Sequence, residues 1–255
     1  MNLPRIIATG IAVVPLIILL ALTAFRPGVP EDLKGAYQYK DFESAKKCRT
    51  CHPAFYEQWS QSMMSQAYTH HWDEIEYFDL AVAHAAKVPE IRDVIDGCNG
   101  CHTPMGFMNG VMPPARPSEG TMANESVSCE VCHLIQGTTS DPPHNFSYII
   151  QPGQTKYSGR ENFVESPAHK IVSTPFYKTT EFCGVCHNEK NPFGVWVKST
   201  QIEWKEGPYA AEGVRCHDCH MPKSPFTVSL TVYSWMESVR FSGKVHVKGL
   251  DRLLW

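Results

Sequence analysis

Apolar and polar positions follow three different periods along this chain, and each period predicts a different element. Residues 6–25, IIATGIAVVPLIILLALTAF, contain no charged side chain and are about long enough to cross a bilayer as one helix. Arg5 precedes the run and Arg26 follows it. A cleaved export signal has an apolar region of only ~7–15 residues that ends at a small-x-small site. Cleavage after Ala24 would put Leu22 where a small residue belongs, so residues 1–27 read as a retained transmembrane anchor. After the linker Arg26-Pro-Gly-Val-Pro30 no Gly-, Ser- or charge-rich run marks a boundary, and residues 28–255 read as one continuous domain.

Within that domain the helical period comes first. Ser44 is placed to cap a short helix, and Pro53 opens a second over residues 53–68, with Phe55, Trp59, Met63 and Ala67 on one face. Residues 78–87 and 89–96 read as two further short helices, the second ended by Gly97. The tail switches to strict alternation: Phe226, Val228, Leu230 and Val232 are separated by Thr and Ser, and residues 239–247 can return as a hairpin partner. The predicted fold is mainly α with extensive loops, an N-terminal transmembrane helix and a small C-terminal β-hairpin. A two-stranded ribbon alone is marginal, so it is expected to pack on a cofactor or on another subunit, which makes it a possible oligomer contact.

The cysteines change this picture. All ten fall into five copies of Cys-x-x-Cys-His: Cys48/Cys51/His52, Cys98/Cys101/His102, Cys129/Cys132/His133, Cys183/Cys186/His187 and Cys216/Cys219/His220. This is the attachment signature of c-type haem. Two thiols three positions apart lie on one face of a helical turn and form thioethers with the two vinyl groups, and the adjacent histidine becomes the proximal iron ligand. A zinc reading needs pairs of Cys-x-x-Cys knuckles, which leaves one motif over and does not explain the histidines. A disulfide framework fails because cysteines so close in sequence are poor staples and none stands outside the motifs. Five covalently bound haem c groups are therefore expected.

Five macrocycles demand cover, so short helices and long loops should wrap cofactors. The 19 prolines and 17 glycines fit such a chain, and its aromatics can lie against porphyrin faces. The formal charge is −3, and haem propionates add further negative charge, which excludes nucleic acid as a natural partner. The first cysteines, at 48, 98, 129, 183 and 216, follow a long-short-long-short spacing. Local echoes accompany it: Cys101-His102-Thr-Pro104-Met-Gly106 against Cys186-His187 with Asn191-Pro192-Phe-Gly194, and Glu125-Ser-Val127-Ser-Cys129 against Glu212-Gly-Val214-Arg-Cys216. The expectation is one leading haem and two sequential haem pairs on one plan.

An iron that only carries electrons is usually ligated on both faces. The histidines left after the proximal set are His70, His71, His84, His144, His169, His217 and His246. His84 sits in an apolar helix, His144 and His169 lie in proline-containing loops, His246 is on the hairpin, and one of His70 and His71 can serve. These are candidate distal ligands, whereas His217, inside the fifth motif, is too close to its own iron.

Several short blocks carry a family resemblance: Cys48-Arg-Thr-Cys51-His52-Pro53 followed by Trp59-x-x-Ser62, then Glu181-Phe182-Cys183, then Glu203-Trp204 with Pro208-Tyr209-Ala210, then Cys219-His220-Met221-Pro222. Over most of residues 41–223 the chain resembles the multihaem cytochromes of the cytochrome c554 type. In that family the segment after the first motif reads Trp-x-x-Ser-x-His, with the histidine a distal ligand. Here Met64 holds that position, so either Met64 ligates iron, which would raise the potential, or the role passes to His70 or His71.

The resemblance implies electron transfer. The expected protein is a single-pass cytochrome of the cytoplasmic membrane with Met1 inside. Its haem domain lies on the periplasmic or extracytoplasmic side, where thioether haem attachment takes place. Its partners are other redox proteins or subunits of a quinol-linked membrane complex. The absence of a Cys-x-x-Cys-Lys site weakens the alternative of an enzyme acting on a small nitrogen or sulfur compound at a five-coordinate haem. A second alternative, a subunit of an extracellular cytochrome filament, sits poorly with the anchor. No catalytic constellation beyond the haem motifs stands out.

Overall fold

The computed structural model describes residues 32–221 apart from 162 and 164. The expected span 6–25, and the tail hairpin with His246, lie outside the described residues. Among those described, no helix is long and apolar enough to cross a membrane.

Most helices of the described residues run one or two turns. The first motif begins on Ala45–Arg49, where the Ser44 hydroxyl accepts from the Lys46 N–H at 3.2 Å. The Glu125 carboxylate accepts from Ala45 N–H at 2.8 Å and from the Ser44 hydroxyl. The expected single helix over residues 53–68 is two, Pro53–Ser60 and Met63–Gln66. Ser62 breaks it: extended at ψ 156°, it donates its hydroxyl to Trp59 O at 2.7 Å and caps the second helix. The helix before the second motif ends at Gly97. Arg92–Gly97 runs almost directly into Asn99–His102, and upstream the segment 78–87 belongs to a π-helical stretch, Ile75–Val82, continued by Ala83–Ala85.

Sheet appears where the sequence pattern did not place it. The antiparallel pair β1 (Ile135–Thr138) and β2 (Tyr148–Ile150) follows the third motif helix, Cys129–Leu134. The antiparallel pair β5 (Asn188–Lys190) and β6 (Trp196–Ser199) follows the fourth, Glu181–His187. Between them β3 (Thr155–Ser158) and β4 (Lys170–Ser173) pair in parallel, with Tyr157 opposite Val172.

The main core is assembled from the interior of the motifs themselves. Val131 and Val185, between the cysteines of motifs three and four, are 2% exposed, and they pack with Met105, Met108, Leu134 and Tyr148. His52, His133, His187 and His220 are exposed and His102 is half-buried.

Candidate haem-binding sites

None of the ten cysteines is in a disulfide, and the fold brings their motifs together in pairs. Cys48 and Cys129 are neighbours, joining motifs one and three. Cys101 and Cys186 are neighbours, joining two and four. Cys183 and Cys216 are neighbours, joining four and five. Cys132 lies within electrostatic reach of Cys183 and Cys186, so every motif is connected to the rest. Motifs four and five are neighbours, as the spacing paired them, whereas motif three neighbours motif one rather than two, the helix after motif one packing against the third motif's approach.

That packing repeats. Trp59 Nε1–H donates to Val127 O at 2.8 Å, and Trp204 Nε1–H donates to Val214 O at 2.7 Å. In each case a tryptophan downstream of one motif grips the carbonyl two residues before the first cysteine of its partner. Each approach contains a residue at positive φ, Ser126 at 51° and Gly213 at 73°. The echo of residues 125–129 in 212–216 is therefore structural. The other echo is not: residues 104–109 form a helix, whereas 191–194 lie in the β5–β6 turn with Gly194 at φ 79°.

Motifs two and four are joined by the loop before β2. Its Phe146 N–H donates to Val185 O at 2.7 Å, and Tyr148 OH donates to Gly100 O at 2.9 Å. Glycine inside both motifs is what lets the loop approach. A Cβ on Gly100 would stand 2.4 Å from the Phe146 ring, and one on Gly184 would stand 2.8 Å from Pro143.

The residues fit covalent haem. His102 Nδ1 lies 2.7 Å from Ala67 O and His133 Nδ1 lies 2.8 Å from Tyr157 O, contacts that leave Nε2 for iron in the manner of metal-ligating histidines. Among the described residues no three His, Cys, Asp or Glu side chains converge as a metal cage; a porphyrin supplies four donors itself, so two axial ligands suffice. Burial pushes the Cys132 thiol up to about 11 and Cys183 up to about 12. Exposed apolar side chains flank the motifs, among them Phe55, Val94 and Met221, as surfaces for a macrocycle face.

The candidate distal ligands are spread across the molecule. Met64 is 42% exposed, and its backbone carbonyl accepts from Val127 N–H. The rings of His70 and His71 lie 4.6 Å apart between centres and are inclined by 41°, and His70 lies 3.9 Å from Asp73, which also faces His102 at 3.6 Å. His84 lines a hollow of about 520 Å³ with Leu80, Ala81 and Ile95. His144 Nδ1 lies 2.9 Å from Pro142 O, and its ring meets Trp196 edge-on at 5.4 Å. His169 faces His52, with ring centres 6.3 Å apart. His217 lies 4.0 Å from Asp218 in its own motif. Sequence reasoning overlooked Trp59 and Trp204 as clamps, although the valine shared by the two approaches marked their acceptors. It also overlooked Gly100 and Gly184, the only glycines between motif cysteines.

Known proteins match this chain in two segments. The family described as "Cytochrome c554 and c-prime" matches residues 47–134, and the "NapC/NirT cytochrome c family, N-terminal region" matches residues 168–246. No curated protein matches significantly. Among solved structures, a penta-heme cytochrome c552 from Thermochromatium tepidum shares the fold at a TM-score of 0.50 and 18% identity, over 72% of this chain and 55% of that one. The chain thus spans about half the length of that protein.

Proposed function

We propose that this chain, a multihaem c-type cytochrome, passes electrons along five haems between redox partners at a membrane. The observation that carries the reading is the connected set of motifs: Cys48 with Cys129, Cys101 with Cys186 and Cys183 with Cys216 lie side by side. Bound haem supplies one-electron chemistry at iron. Cysteines so placed fix the edges of neighbouring cofactors close together, and the protein's part is to hold them there.

The side chains supply orientation and electrostatics. The carbonyls of Ala67 and Tyr157 fix the rings of His102 and His133, and the Trp59 and Trp204 clamps fix the register of paired motifs. The match to the NapC/NirT family and the uncharged run 6–25 support a membrane-anchored protein, its haem domain extracytoplasmic, working with a quinol-linked complex. Potentiometric titration tests the reading together with carbon monoxide binding. Five one-electron steps and irons inert to carbon monoxide are expected. A carbon monoxide-reactive iron that turns over a nitrogen or sulfur compound would replace electron transfer with catalysis.

A further inference from the structure

We propose that His169 is the distal ligand of the iron whose proximal ligand is His52, and that the β3–β4 ribbon holds this site and the His133 site together. The proposal rests on the multihaem reading above and assigns one distal ligand within it.

The pairing comes from geometry. Two imidazoles on opposite faces of one metal, each bonded at roughly 2 Å, have ring centres roughly 6 Å apart. The rings of His52 and His169 are 6.3 Å apart and inclined by 36°. The angle is no obstacle, because each imidazole can turn about its own metal bond. His169 Nδ1 faces the carbonyl of Lys170 at 3.3 Å, which turns Nε2 to the other side, the arrangement seen in ligating histidines. Phe55, one helical turn beyond His52, meets that ring edge-on at 6.1 Å and is 46% exposed, an apolar neighbour for a macrocycle.

The ribbon explains how a residue so far along the chain arrives there. His169 directly precedes β4, whose register with β3 is fixed at four residue pairs from Thr155–Lys170 to Ser158–Ser173. The bonds Lys170 N–H to Gln154 O and Thr174 N–H to Ser158 O, both 2.8 Å, extend the pairing at each end. On β3, Tyr157 O seats His133, and Lys156 pairs with Glu130 inside motif three. One parallel ribbon thus orients a ligand for motif one and a ligand for motif three, the two motifs already joined through Cys48 and Cys129.

The test is the holoprotein carrying His169→Ala or His169→Met. In His169→Ala, pyridine haemochrome should still report the full wild-type haem content, while EPR gains one high-spin iron and one ferrous haem per chain binds carbon monoxide. Added imidazole should restore the low-spin spectrum. In His169→Met the iron should stay low-spin, with one bis-histidine signal lost and one potential raised. Fully loaded variants with unchanged spin states and potentials would overturn the assignment and leave the multihaem reading intact. A wild-type protein without covalent haem would overturn that reading itself.

Discussion

Glu130 shows what the motifs demand of single residues. It is 2% exposed, it pairs with Lys156, which is itself only 13% exposed, and its Oε2 has no hydrogen-bond partner among the described residues. Burial raises its carboxyl pKa even though Lys156 opposes the shift. Removing the lysine would leave an uncompensated buried charge, so Lys156→Met is expected to cost about 3–5 kcal/mol at neutral pH. The sign of the pH dependence follows. A glutamate whose folded pKa lies above its unfolded value of about 4.3 favours the folded state only when protonated. The variant's deficit should therefore shrink as pH falls through the raised value, and urea unfolding at pH 7 and pH 5 measures the difference. Gly100 gives a steric counterpart. Gly100→Ala would press a methyl group into the Phe146 ring, and a loss of roughly 1–3 kcal/mol in the same assay is expected. Neither burden was visible beforehand, since the sequence shows a glutamate and a glycine between cysteines but not what packs on them.

At the scale of elements, the tryptophan clamps set the architecture. Trp59→Phe and Trp204→Phe each remove the donor to a backbone carbonyl, Val127 O or Val214 O, at an expected cost of about 1–3 kcal/mol each. Thermal unfolding of the holoprotein should show both losses. The short helix over Ala45–Arg49 was legible because Ser44 is a local signal that acts within one turn. The break at Ser62 was harder to see, because the apolar face continues through it while the serine chooses a cap over another helical turn. Strands β1 and β5, Ile-Gln-Gly-Thr and Asn-Glu-Lys, have no alternating pattern. They form because the chain leaving a motif helix is paired by a returning segment, which is tertiary information.

For the whole molecule, the expected haem sites rest on covalent chemistry that fixes spacing: ten cysteines and five candidate proximal histidines follow from the attachment reaction alone. The second axial ligands do not follow from it, since His169 reaches the neighbourhood of His52 only through a ribbon between them in sequence. The plan of the pairs was half legible. The echo around Val127 and Val214 was in the sequence, but its partners, Trp59 and Trp204, are set by packing. Mass spectrometry of the purified protein is expected to give five haem additions per chain, and a smaller number would leave at least one motif unused. The nearness of these thiols also constrains how such a protein can be made. Cysteines that are neighbours in the folded chain can oxidise to one another. In an oxidising compartment, a polypeptide that folded before maturation would be poised to crosslink Cys48 to Cys129, Cys101 to Cys186 and Cys183 to Cys216. Cofactor ligation must then run ahead of folding, on a chain kept reduced and open, and the finished architecture records that order of events.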